Sequence, residues 1–129
     1  MSAQLYVHLS WTTVQRRPMI GHSETRFLSR FLPAEAQRHN CDVIATGIVP
    51  DHVHVLIRIP RKLDLPRLLQ GLKGASARLI NQSDELSKTG IRWASGYDAR
   101  TVSPGHLKRV ADYVKGQTER HQGMGTLRG

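Results

Sequence analysis

The chain has a single cysteine, Cys41. It can form no internal disulfide and no cysteine-based zinc cluster, which is the usage expected in a reducing cytoplasm. No apolar run approaches the roughly 20 residues that a membrane span requires. Met1-Ser2-Ala3-Gln4 lacks the charged-then-apolar pattern of a secretory leader, so no membrane partner is expected. Aromatic residues are scarce, at 5%, which argues against an RNA-binding sheet that stacks bases on rings. Acidic residues are outnumbered: 10 Asp and Glu face 19 Lys and Arg, for a net charge of +9. That surplus makes nucleic acid the natural partner, although a basic surface with no specific ligand would have the same composition. The length allows one domain over residues 1–129, with one real core.

The most patterned stretch is Pro50-Asp51-His52-Val53-His54-Val55-Leu56-Ile57-Arg58-Ile59-Pro60. It alternates with period two, as a strand with two unlike faces does. Val53, Val55, Ile57 and Ile59 form a β-branched face that belongs in a core. His52, His54, Leu56 and Arg58 form the other face. Two neutral imidazoles at i and i+2 point the same way and can share one divalent metal ion, with a third ligand from elsewhere in the chain. Histidine pairs on strands also occur as surface or hydrogen-bonded structural residues. The turn signal Pro50-Asp51 sets this pair at the mouth of its strand.

Upstream, Leu5-Tyr6-Val7-His8-Leu9-Ser10-Trp11 alternates loosely and reads as a first strand. The loop over 12–18 carries Arg16 and Arg17, either phosphate contacts or solvated surface. Ser23 is the expected N-cap of a helix bearing Phe27, Leu28, Phe31 and Leu32. Pro33 either kinks that helix or starts a second one, and Asn40 is a natural stop. Residues 41–49 read as the second strand, with Gly47 a candidate bulge. The short turn then makes an antiparallel hairpin with the histidine strand.

After Arg61 and Lys62, Asp64 can cap a helix with Pro66 in its first turn. Leu65, Leu68, Leu69, Leu72, Ala75, Leu79 and Ile80 make its amphipathic stripe. Gly71 and Gly74 each cost a helix about 1 kcal/mol, which points to close approach by another backbone, sheet or polynucleotide. Lys73 and Arg78 lie off the stripe, as phosphate contacts or as solvated surface. Residues 81–90 read as a loop and 98–102 as a last strand. Ser103 or Pro104 opens a final helix with Leu107, Val110 and Val114 as its buried stripe. The glycine-containing tail over 122–129 is expected to be frayed and flexible. Tyr113 and Gln117 stand one turn apart at the margin of the stripe. A phenol there can be half-buried with its hydroxyl in a cleft, although a tyrosine in such a place is more often plain packing.

PDHVHVLI, then a leucine helix with LKGAS, then RWASGY, then Tyr-x-x-x-Gln together resemble the small single-tyrosine HUH transposases of the TnpA type. HUH denotes His-hydrophobic-His, here His52-Val53-His54. TTVQRRP resembles that family's N-terminal region, and the resemblance runs from about Tyr6 to Gln117. Relatives associated with repeated extragenic palindromes share the core motif. The resemblance implies an α+β ferredoxin-like (RRM-like) sandwich, an antiparallel sheet with helices packed on one face. It implies His52, His54 and Gln117 as ligands of a divalent metal, Mg²⁺ or Mn²⁺, with Tyr113 as the nucleophile. The substrate implied is hairpin-bearing single-stranded DNA at transposon ends, cut to leave a 5′-phosphotyrosine and a free 3′-hydroxyl. A homodimer is expected, with exchanged C-terminal helices hinged at Ser103-Pro104-Gly105. Arg16, Arg17, Arg61, Lys62, Lys73 and Arg78 are the expected DNA contacts.

The residue types agree with that chemistry. A covalent tyrosine link conserves the phosphodiester energy, so a strand can be rejoined without ATP. A metal can act as a Lewis acid on the scissile phosphate, and imidazole ligands favour Mn²⁺ over Mg²⁺. No base for the phenol proton is evident beyond His106, two turns before Tyr113. Tyr6 and Tyr97 are rival phenols. A non-catalytic hairpin-binding regulator on the same fold is the alternative. The joint presence of His52, His54, Tyr113 and Gln117 favours catalysis, because binding alone needs none of them.

Overall fold

The computed structural model describes residues 4–87 and 89–128, with side chains described as far as Thr118. Strands β1 (Gln4–Thr12), β2 (Asp42–Val49), β3 (His52–Pro60) and β4 (Asp98–Val102) pair antiparallel in the order β2-β3-β1-β4. Helix α1 (His22–Gln37) joins β1 to β2. Helix α2 (Leu65–Leu69), a π-helical segment at Gln70–Ala75 and helix α3 (Ser76–Asn81) lie between β3 and β4. Helix α4 (Leu107–Arg128) follows β4. This is the β-α-β-β-α-β order of a ferredoxin-like fold with one helix appended. No helix among the described residues is long and apolar enough to cross a membrane.

The two faces of β3 are as unlike as its alternation predicts. Val53, Val55, Ile57 and Ile59 are buried with Val7, Leu9 and Trp11 of β1. Leu28, Leu32 and Ala36 of α1 cover this face, with Leu68, Leu69, Leu72 and Ile80 from the α2–α3 stretch. Burying a Leu, Ile or Val side chain fully contributes about 1.5–3 kcal/mol, so this face carries most of the core energy. These are the helices expected on one face. Helix α4 goes to the other. Its Ala111 and Val114 meet Ala45 of β2 and Leu56 of β3, flanked by Ile44, Val102, Leu107 and Val110.

Gly47 makes that approach possible. A Cβ there would lie 3.1 Å from both the Val114 carbonyl carbon and Gln117 Cβ, and would overlap the Val114 carbonyl oxygen. The bulge expected at Gly47 is elsewhere: Gly47 pairs in register with His54, and the register shifts between Val43 and Ala45. The glycine admits a helix; it does not bend the strand. β2 is an edge strand, and the Ile48 N–H donates to Thr118 Oγ1 at 2.7 Å, so α4 also clips that edge.

Two local expectations change, and the alternative left open at Pro33 is decided for a single helix. Helix α1 begins at His22, capped at Gly21, whose N–H donates to Glu24 Oε1 at 3.1 Å; Ser23 already lies inside the helix. Pro33 sits within that one helix, which runs unbroken to Gln37. A Cβ at Gly71 would overlap Glu35 Oε2 and come within 2.9 Å of His39 Nε2, so the close neighbours are side chains, of Glu35 on α1 and His39 just after it, and not a backbone. Asp64 caps α2 as expected, accepting from the Arg67 N–H at 3.1 Å. The helical backbone of α4 runs to Arg128. The side chains of the tail over 122–129, and Gly129 itself, lie outside the described residues.

Candidate active site

The strand registers assemble the site. On β1, Thr12 stands opposite His52 and Ser10 opposite His54, with His8 one row further on, opposite Leu56. On β2, Gly47 stands opposite His54. His8, His52 and His54 therefore share one face, the face that α4 crosses.

His52 Nδ1 lies 2.6 Å from Asp51 Oδ1. A carboxylate can only accept, so Nδ1 carries a proton, and in the neutral ring Nε2 is then the nitrogen with the lone pair. Arg16 approaches the same Nδ1 at 3.4 Å, but a nitrogen already donating has no lone pair to offer it. Arg16 pairs instead with Asp51, Nε to Oδ2 at 3.3 Å. Burial pushes the Asp51 carboxyl up; the contacts with His52 and Arg16 outweigh that and hold it below its usual range.

His54 Nδ1 lies 2.9 Å from His8 Nε2. Its Nε2 is buried without a hydrogen-bond partner among the described residues. Burial, with His52 and His8 nearby, pushes its pKa down to about 4. The imidazole is neutral at pH 7, which is the metal-binding form. Burial likewise lowers the His8 pKa, opposed by Asp98 and reinforced by Arg100. The rings of His52 and His54 are 4.8 Å apart at 82°.

Helix α4 brings the remaining groups. The Tyr113 ring stands edge-on to His54 at 5.9 Å and to His8 at 6.5 Å, and Tyr113 is 54% exposed. Gln117, one turn later, is buried, with its Cβ above Gly47 beside His54. No group of three His, Cys, Asp or Glu placed to hold a metal occurs among the described residues. The donors at hand are two imidazole nitrogens and the amide oxygen of Gln117. Such a set fits a divalent ion of the Mn²⁺ or Mg²⁺ kind, and the buried, unpartnered His54 Nε2 fits the role of a ligand to it.

The other candidates separate by position. Tyr6 lies two rows from His54 on β1, opposite Arg58, and Tyr97 is exposed before β4. Tyr113 is the phenol against the histidines. His106 is engaged with Ser103 Oγ at 2.7 Å and starts about 10 Å of helix axis before Tyr113, beyond direct proton transfer. Arg16 stands at the site's rim with Arg17 exposed beside it. Arg61 and Lys62 follow the far end of β3, about 25 Å from His52 along the strand. Lys73 donates to the Ala94 and Gly96 carbonyls at 3.0 and 2.6 Å, and burial lowers its pKa. It braces the 94–96 loop rather than standing ready for a phosphate. Arg78 is exposed on α3, in the layer on the opposite face of the sheet. His8, Asp51 and Arg100 were not singled out from sequence; Arg100 stands exposed on β4 opposite His8.

Comparison with known proteins gives the family and the fold. The family model described as transposase IS200 like matches residues 1–117. The ISDra2 transposase TnpA of Deinococcus radiodurans is 29% identical over 121 residues, covering 91% of this chain and 86% of that protein. The transposase for insertion sequence element IS200 of Salmonella typhimurium is 26% identical over 116 residues, covering 87% and 76%. A crystal structure of a candidate transposase from Deinococcus radiodurans superposes with a TM-score of 0.70 at 26% identity, over 91% of this chain and 93% of that one. A REP-associated tyrosine transposase bound to a REP hairpin shares the fold, with a TM-score of 0.66 at 12% identity, over 88% and 67%. Matched by that family's model over residues 1–117, the chain belongs to the IS200-like transposase family.

Proposed function

We propose that this transposase cuts and rejoins hairpin-bearing single-stranded DNA at the ends of a small insertion element, through a covalent 5′-phosphotyrosine at Tyr113. The observation that carries the reading is the convergence on one face of groups distant in the chain. Two imidazoles from β3 lie beneath a phenol and an amide from α4. His52, His54 and Gln117 would hold a divalent metal, Mg²⁺ or Mn²⁺, which when bound supplies Lewis acidity at the scissile phosphate. Tyr113 gives up its phenol proton as Oη attacks phosphorus, the bond to the 3′ oxygen breaks, and that oxygen takes up a proton to leave as the 3′-hydroxyl. The reverse attack by a 3′-hydroxyl releases Tyr113 and joins the strand. Arg16 and Arg100, at opposite margins of the histidine face, would hold flanking phosphates. The hairpin-bound relative of the same fold supports hairpin DNA as the ligand.

The working unit is a homodimer, since two DNA ends must be held together and a twofold pair does this with one surface. In the single chain α4 lies on its own sheet. Exchange about Ser103-Pro104-Gly105 would rebuild the same contacts between subunits. The single cysteine and the DNA substrate together support a cytoplasmic setting. The test is incubation with hairpin-bearing single-stranded DNA and Mn²⁺, followed by a denaturing gel. A protein–DNA adduct is expected from the native chain and none from Tyr113→Phe, with hairpin binding retained. An adduct that persists in Tyr113→Phe overturns the assignment. Hairpin binding with no adduct from the native chain would make the protein a regulator.

A further inference from the structure

We propose that His8 is a positioning residue for the metal site: it accepts the Nδ1 proton of His54 and thereby keeps His54 Nε2 as a bare lone pair. The inference rests on the metal reading given above. A single proton lies between the two ring nitrogens, 2.9 Å apart, and either ring could own it. If His8 donates, neutral His54 carries its proton on Nε2. Nε2 has no hydrogen-bond partner among the described residues in either tautomer, but as an N–H it could bind no metal. If His54 donates, Nε2 is left as a ligand. Asp51 imposes this same arrangement on His52, 2.6 Å from its Nδ1. The two histidines are thus held alike by unlike acceptors.

The difference between the acceptors has a physical reason. Asp51 lies in the turn at the rim, where a carboxylate keeps water and Arg16. His54 lies under α4, where a carboxylate would bring a charge that is unfavourable to bury unpaired. A neutral imidazole accepts the same proton without one. The β1–β3 register fixes His8 one row from Ser10, the residue opposite His54, so the two rings meet as a diagonal cross-strand pair, 5.1 Å apart at 32°. An outer partner that fixes tautomer and ring plane in this way typically changes metal affinity about 10- to 100-fold when removed.

The test uses the full chain and two readouts besides activity. Long-range nitrogen–proton NMR of the metal-free protein reads the His54 tautomer, and EPR of free Mn²⁺ reads the affinity. Native His54 is expected to be protonated at Nδ1 and bare at Nε2. In His8→Leu the tautomer should shift toward Nε2–H, and Mn²⁺ affinity should fall about 10- to 100-fold. His8→Gln, whose amide oxygen can take the same proton, should restore most of that loss. If His8→Leu fails to fold, the native tautomer and His8→Gln still decide. Native His54 protonated at Nε2 overturns the inference. So does His8→Leu with tautomer and affinity unchanged. His54→Ala separates the two levels. If it binds Mn²⁺ as the native chain does, the metal reading falls and the inference with it. If it loses Mn²⁺ while His8→Leu retains it, the inference alone falls.

Discussion

Gly47→Ala sets two known effects against each other. Among the described glycines, only Gly90 and Gly96 have positive φ, so alanine suits the backbone at position 47. Reduced freedom in the unfolded chain would by itself stabilise the variant by about 0.4–1 kcal/mol. The new methyl, however, would sit 3.1 Å from the Val114 carbonyl carbon and from Gln117 Cβ, and would overlap the Val114 carbonyl oxygen. Carbon atoms rest at about 3.5–4.0 Å, so α4 must retreat by about 0.5–1 Å. The obstacle is helix backbone, which cannot swing aside as a side chain can. Overpacking of this kind costs about 1–3 kcal/mol, leaving a net destabilisation of about 1–2 kcal/mol. For a domain of this size that is a fall in melting temperature of about 3–10 °C. Because α4 carries Tyr113 and Gln117, a misplacement near 1 Å should also slow adduct formation about 100-fold. The control is Gly116→Ala on α4 itself, where an added Cβ meets nothing within 4 Å. It should stabilise the helix by up to about 1 kcal/mol and leave adduct formation unchanged. Thermal unfolding and timed denaturing gels read both quantities. A Gly47→Ala protein that melts no lower than the native chain and forms adduct at full rate would refute the packing of α4 on Gly47.

Three further outcomes are expected. His54 titrates at about 4 in the folded chain against 6.5 for a free imidazole, so between those values the unfolded state binds the extra proton. The melting temperature of the metal-free protein should therefore fall as pH drops from about 6.5 to about 4, and His54→Ala should flatten that slope; a rise on acidification would contradict it. DNA affinity, followed by anisotropy, should fall steeply with salt as bound cations are released from the phosphates, and a flat profile would deny the +9 charge its role. Inactive His54→Ala and Tyr113→Phe chains, mixed under conditions of verified subunit exchange, should recover adduct formation if α4 is exchanged. A mixture that stays inactive would mean that Tyr113 acts on its own chain's histidines.

The most legible part was what strict periodicity specifies. The alternation in β3 announced a core face and a histidine face, and both are there. The leucine stripe announced an amphipathic helix, although it could not show the π-helical turn within it. What stayed hidden depends on register and on layer. His8 looked like any polar residue of a loosely alternating strand, because only the pairing of Ser10 with His54 brings it to the site. The amphipathic stripe of α4 says that the helix has a buried side, not which face of the sheet receives it. A signal was nonetheless present. Ala45, Gly47 and Leu56 leave a small, apolar track on the histidine side, and such a track admits a helix. Lys73 was indistinguishable from a solvated lysine, since its carbonyl partners lie 21 and 23 residues away. The Ser23 cap failed because Glu24 reaches back to Gly21 and starts the helix earlier.

The clip between Thr118 and Ile48 has a consequence for how the protein survives in a crowded cell. While α4 is seated, Thr118 occupies the Ile48 N–H and approaches the Thr46 carbonyl at 3.4 Å, so a free strand finds no template along that part of β2. When α4 lifts off, the β2 edge and the Ala45–Leu56 apolar track open together. Under the proposed exchange, a chain in that state would receive the helix of another. If each chain returns the helix it is given, the pair closes. If each passes its helix onward, the same contact propagates into an open-ended polymer. Under the proposed exchange, the joint at Ser103-Pro104-Gly105 would decide between closed pairs and open fibres, and the Thr118 clip would hold both back.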